Sequence, residues 1–137
     1  FNLRGQKDLG INNFTIIPNG TGGIENRMEL LFTYGVLENR ISLNRWVSLC
    51  CEMPARIFDL FPRKGSLRPG ADADLLLWDT KPGRIIRAAN LFQNCDHSVY
   101  EGFSTQGQVH FLMKNGGVIF QEGEHIQDLP SGRFLGS

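Results

Sequence analysis

Few residues of this 137-residue chain carry reactive chemistry, and most of those are scattered. The stretch PNGTGG, residues 18–23, sets an Asn-Gly pair among three glycines directly ahead of an apolar helical pattern. Such a segment exposes backbone N–H groups, which suit a phosphate, a carbonyl or a carboxylate oxygen. Neither phosphate motif is complete. The third glycine of GxGxxG is missing, and so is the Gly-Lys-Ser/Thr ending of a P-loop. On these residues alone the stretch is either an ordinary turn or a ligand loop. His97, His110 and His125 lie far apart, without HxH or HExxH spacing, so no histidine metal motif follows from them. Asp72, Asp74 and Asp79 bracket an apolar run and read as strand-end and turn residues, since no EF-hand pattern contains them. There is no GxSxG, and no Ser/His/Asp set emerges from spacing. Cys50, Cys51 and Cys95 are an odd number without a CxxC and read as buried, reduced thiols.

The elements that position these residues follow from periodicity. Residues 1–23 read as loop, broken by FTII, with extended backbone required just before Pro18. Ile24, Met28, Leu31 and Phe32 recur at helical spacing, with Glu25, Asn26 and Glu29 on other faces. This predicts a helix over 24–34 that fades near Gly35. Ser42 is an N-cap for a second helix whose apolar stripe is Leu43, Trp46, Val47 and Cys50. Pro54 suits the first turn of a separate short helix burying Ile57, Phe58 and Phe61. Met53 before it cannot accept a capping hydrogen bond, a cost of about 1 kcal/mol. After it the run 75–78 predicts a buried strand, RIIRA (84–88) a weak second one, and QVHFLMKNGGVIFQEG a hairpin turning at Asn115-Gly116-Gly117. Helices over 24–61 followed by strands over 66–121 make the order α+β.

Composition narrows the partners. Fourteen basic residues balance fourteen acidic ones, without a basic stripe, which excludes nucleic acid and anionic membrane surfaces as expected partners. No apolar run approaches the roughly 20 residues of a membrane span, and the first residues hold no signal-peptide core. A cytoplasmic location is the expectation.

Two stretches carry a family resemblance. FTIIPNGTGGIENRMELLFTYGV contains a PNGxxGxExR loop, and ISLNRWVSLCCEMPARIFDLFPRKGSLRPGADADLLLWD contains a PAxxF…PRKG…PGxDADL block. Together they resemble the C-terminal part of dihydropyrimidinases and hydantoinases, cyclic amidohydrolases; VYEGF and SGRFL match the same region. The block is shared with dihydroorotases and allantoinases, whereas the loop is specific to the subgroup.

The resemblance implies a fold, a chemistry and a set of partners. The fold would be the last segment of a TIM-type barrel (1–63), strands of an accessory β-sandwich (64–124) and a C-terminal tail (125–137). The chemistry would be hydrolysis of cyclic ureides, dihydropyrimidines or hydantoins, to N-carbamoyl amino acids. In this family a binuclear zinc centre, held by four histidines, a carboxylated lysine and an aspartate, supplies the hydroxide. None of those ligands is expected in this chain. Phe1 matches the last residue of the Asp-His-Cys-Pro-Phe stretch that carries the aspartate, so the chain reads as a fragment without catalytic residues. The substrate site would retain Asn19, whose backbone groups bind the ring amide, with Gly20 beside it. Glu25 and Arg27 match the motif and would anchor the helix start rather than touch substrate. Implied partners are the N-terminal barrel portion of the same enzyme and further copies in a dimer or tetramer. The competing reading is a non-catalytic, dihydropyrimidinase-like scaffold. Those relatives tend to carry an acidic residue at the position of Asn19, so Asn19 favours the enzymatic branch.

Overall fold

The computed structural model describes residues 3–126 and 135. Its helical half precedes its strands, as the α+β order requires. Helix α1 (Arg4–Asp8) opens the chain, in a region expected to be loop. The Gln6 side-chain oxygen accepts a hydrogen bond from the Leu3 backbone N–H at 2.7 Å, satisfying one N–H that a helix start leaves unpaired. Helix α2 (Arg27–Leu31) begins three residues later than the periodicity suggested, and passes directly into a π-helical turn, Phe32–Leu37. Ile24 stays outside the helix and is 84% exposed.

Ser42 caps α3 (Leu43–Val47) as expected, its hydroxyl accepting from the Arg45 N–H at 3.2 Å. The break expected at Pro54 does not occur. A π-helical turn, Ser48–Glu52, joins α3 to α4 (Met53–Ile57), which places Pro54 in the first turn of α4. Met53 therefore lies within a continuous helical run, and the expected capping cost does not arise. Nor does α4 bury Ile57 and Phe58, which are 72% and 73% exposed. Phe61 is half-buried instead, beneath the Arg56 guanidinium at 3.7 Å.

Four strands form one antiparallel meander in the order β1-β2-β3-β4. Strand β1 (Leu75–Ile85) takes in only the first two residues of RIIRA, expected as a second strand: Arg84 and Ile85 pair with Thr105 and Ser104 of β2. The interruption is a bulge between Asp79 and Gly83. Pro82 cannot donate to a ladder, and a bulge is where a strand tolerates it. Strands β2 (Ser104–Lys114) and β3 (Gly117–Gln121) form the expected hairpin, with positive φ at both Asn115 and Gly116. Strand β4 (Glu124–His125) pairs with the end of β3.

The core sits where helices meet sheet. Phe32, Trp46 and Trp78 form a triangle of tilted rings with centroids 5.3–5.7 Å apart, a favoured aromatic geometry. Hydrogen bonds fasten the two halves: Thr33 Oγ1 accepts from the Gln106 N–H at 2.8 Å, and the Tyr34 hydroxyl donates to the Ser104 carbonyl at 2.9 Å. Asp72 and Asp74 serve the turns around β1. Both pair with Lys64, and Asp74 also accepts from the Asn115 N–H at 2.8 Å.

Candidate functional site

The glycine-rich loop is held from behind by a lysine. Lys7, on α1, donates from Nζ to the carbonyls of Pro18 and of Gly20, the latter at 2.7 Å. Both acceptors flank Asn19, so the cation fixes the backbone on each side of the residue singled out by the sequence. Gly20 has φ +91° and open space where a Cβ would stand, a conformation that only glycine adopts without strain. Further along, Gln93 lies against Gly22 and Tyr100 against Gly23. Glu25 does not close the helix start. Its carboxylate accepts from the Gln93 N–H at 3.1 Å, tying this loop to the segment before β2. The fold thus holds the loop between α1 and residues 93–100.

Behind the loop lies a buried polar cluster that the periodicity misplaced. Asn26 and Glu29, expected on outward faces, are 0% and 4% exposed. Glu29 receives both Nε and NH2 of Arg84, at 2.8 and 2.6 Å, the Asn26 amide at 2.7 Å and the Thr105 hydroxyl at 3.1 Å. Burial by itself would raise the Glu29 pKa, but the Arg84, Asn26 and Thr105 hydrogen bonds outweigh it and hold the carboxyl below its usual value. A fork-on-carboxylate pair of this kind is strong and geometrically specific. Nothing on a helix wheel marks Glu29 as buried, because its partners lie 55 and 76 residues away. The cysteines also differ from expectation: Cys50 and Cys95 are half-buried and Cys51 is exposed.

Residues 8–119 match the amidohydrolase family. The chain belongs to the amidohydrolase family. This amidohydrolase is 41% identical over 135 residues to a D-phenylhydantoinase of Escherichia coli O1:K1, spanning 98% of this chain and 29% of that enzyme. It is 42% identical over 125 residues to the D-hydantoinase of Streptomyces coelicolor, spanning 91% of this chain and 27% of that one. Among solved structures it superposes on the dihydropyrimidinase of Brevibacillus agri NCHU1002 with TM-score 0.87 and 37% identity, over 92% of this chain and 27% of that one. The amidohydrolase chain therefore spans less than a third of these relatives' length.

The residues present do not fit the binuclear zinc centre that the resemblance implies. That centre needs four histidines, and this amidohydrolase chain has three. His110 lies on β2, and His125 stacks edge-on against Phe92 and Phe120. Among the described residues one group gathers three metal-capable side chains, Cys95, Asp96 and His97. No helix of the described residues is long and apolar enough to cross a membrane. The SGRFL match lies outside the described residues except for Leu135.

Proposed function

We propose that this chain supplies the substrate-contacting loop of a zinc-dependent hydrolase that opens cyclic ureides, dihydropyrimidines or hydantoins, to N-carbamoyl amino acids. The observation that carries this reading is the pair of Lys7 hydrogen bonds on either side of Asn19. A backbone fixed at both flanks can present one N–H and one carbonyl to a flat ring amide, whose own carbonyl and N–H are their complements. The names of the relatives, hydantoinases and a dihydropyrimidinase, support the substrate class. Asn19 and Gly20 are the contacting residues. No side chain of this chain is assigned a catalytic role.

In this reading residues 1–63 close a TIM-type barrel, residues 64–124 contribute strands to a β-sandwich, and residues 125–137 form a tail. The zinc ligands come from the N-terminal portion of the same enzyme, which acts in the cytoplasm as a dimer or tetramer. Polarising the ring carbonyl and supplying hydroxide are the chemistry of the metals. Orienting the ring is the task of this loop.

The test compares the purified 137-residue chain with the enzyme assembled with its barrel and zinc. Hydantoin, 5-phenylhydantoin and dihydrouracil are the substrates, with N-carbamoyl product as the readout. Turnover is expected only from the assembled, metal-loaded enzyme. Turnover by the chain alone that tracks bound metal overturns the division of labour. A folded, zinc-loaded assembly without turnover moves the chain to the scaffold reading.

A further inference from the structure

Gln93 stands behind the glycine-rich loop, in the segment between β1 and β2. Its side-chain amide lies against Gly22: a Cβ on that glycine would sit 2.2 Å from Oε1, 2.9 Å from Cδ and 3.1 Å from Nε2. Gly22 is not among the glycines with positive φ, so its backbone would tolerate a side chain, and it is the Gln93 amide that takes the space. The neighbouring Gly23 faces the Tyr100 ring, whose Cε2 lies 3.2 Å from where its Cβ would stand. The Gln93 backbone N–H donates to Glu25 at 3.1 Å. Being a main-chain bond, it survives any change of the Gln93 side chain, so the segment is docked on the loop without help from the amide.

The amide itself is poorly served. Its Nε2 is buried and finds no acceptor among the described residues. A buried N–H without an acceptor has lost its water and gained nothing in return. An apolar side chain of the same length would fill the place without that penalty. A polar group kept against stability beside a binding loop is the mark of a role in function. An acceptor adjoins it. The Gly22 carbonyl takes the Thr21 hydroxyl at 3.3 Å, a long bond, and a carbonyl oxygen has a second lone pair.

We propose that Gln93 is a positioning residue for the substrate loop, its side-chain amide donating to the Gly22 carbonyl when a cyclic ureide is seated on Asn19. Lys7 already holds the upstream flank of Asn19 through the Pro18 and Gly20 carbonyls. Gln93 secures the downstream flank once the ring is bound. This role rests on the substrate reading above. No reacting atom passes through Gln93, so its effect falls on ring binding and not on the chemical step.

In the assembled, zinc-loaded enzyme, Gln93→Met keeps the length of the side chain and removes the amide. KM for hydantoin should rise about five- to tenfold, the effect of one neutral hydrogen bond, with kcat unchanged and the thermal midpoint level or higher. Gly22→Ala should raise KM similarly, because its Cβ must push the amide aside, yet add nothing in a Gln93→Ala background. In a brief exchange pulse under excess hydantoin, the amides of residues 19–25 should be less protected in Gln93→Met than in the wild type. An unmoved KM, a thermal midpoint that falls in step with the rise in KM, or additive Gly22→Ala and Gln93→Ala effects overturns the role of Gln93 while wild-type turnover upholds the substrate reading. A wild-type enzyme that neither gains protection at 19–25 nor turns over hydantoin overturns the substrate reading, and the role of Gln93 with it.

Discussion

Arg84 of β1 grips the carboxylate of Glu29 on α2 with two parallel hydrogen bonds, at 2.8 and 2.6 Å. The carboxylate is nearly sealed from solvent, while Arg84 keeps 39% of its side chain exposed. Breaking such a pair strands a buried charge, and the cost falls on folding rather than on chemistry. Glu29→Gln should lower unfolding free energy by about 2–4 kcal/mol, read by denaturant melts. Arg84→Ala alone should cost a similar amount, and the double variant less than the sum. Simple additivity would show that the pair does not join helix to sheet.

The same carboxylate makes stability depend on acidity. Its pKa lies below the ordinary 4.5 in the folded chain. The stabilisation is therefore complete above pH 4.5 and disappears as pH falls through the lower folded value. Midpoints of thermal unfolding should hold steady above about pH 5 and drop below about pH 4.5. Glu29→Gln should flatten that drop; an equally steep one would place its origin elsewhere.

Gly107 has φ +87°, and a Cβ there would lie 2.5 Å from Trp78 Nε1. The indole is locked against Phe32 and Trp46 and cannot swing aside. Gly107→Ala should destabilise by roughly 2–4 kcal/mol, combining backbone strain with overpacking. Gly102→Ala is the control: its φ is +83° but a Cβ there meets nothing within 4 Å, so only the strain, about 1 kcal/mol, should register. Equal losses at both sites would remove Trp78 from the explanation.

Lys7 is a positioning residue for the proposed substrate loop. In the assembled enzyme, Lys7→Met should raise KM for hydantoin by roughly tenfold, with a smaller effect on kcat and unchanged zinc content. Lys7→Arg should restore part of the loss, since a guanidinium can still donate to two carbonyls. A fall in kcat with KM unchanged would contradict this role.

Large apolar side chains stand open on the helical half. Phe14, Ile24, Ile57 and Phe58 are each more than 70% exposed, where the proposed barrel and sandwich would cover them. The purified chain should self-associate as concentration rises, because exposed apolar area favours association. Light scattering from a monomer that persists to high concentration would count against missing partners.

Local signals in the sequence were sufficient wherever a residue's role depends on its near neighbours. Ser42 caps α3, Asn115-Gly116 turns the hairpin, and Pro54 falls in the first turn of α4, because caps, turns and prolines act over three or four residues. The same local logic failed at the π-helical turns. One widened stretch, Ser48–Glu52, keeps 43–57 continuous where a break was expected. It failed again at RIIRA, where only pairing with β2 shows that a bulge, not a loop, interrupts a single strand.

The candidate site divides in the same way. Sequence pattern alone marked the Asn19 loop and placed it before a helix, since its glycines and Asn-Gly pair announce unusual backbone. Lys7 beneath that loop and the burial of Glu29 were decided by the tertiary structure. These are contacts across space or across a bend, and their energies depend on distance and desolvation. A one-dimensional pattern carries residue type and spacing, but not which charged groups the folded chain removes from water.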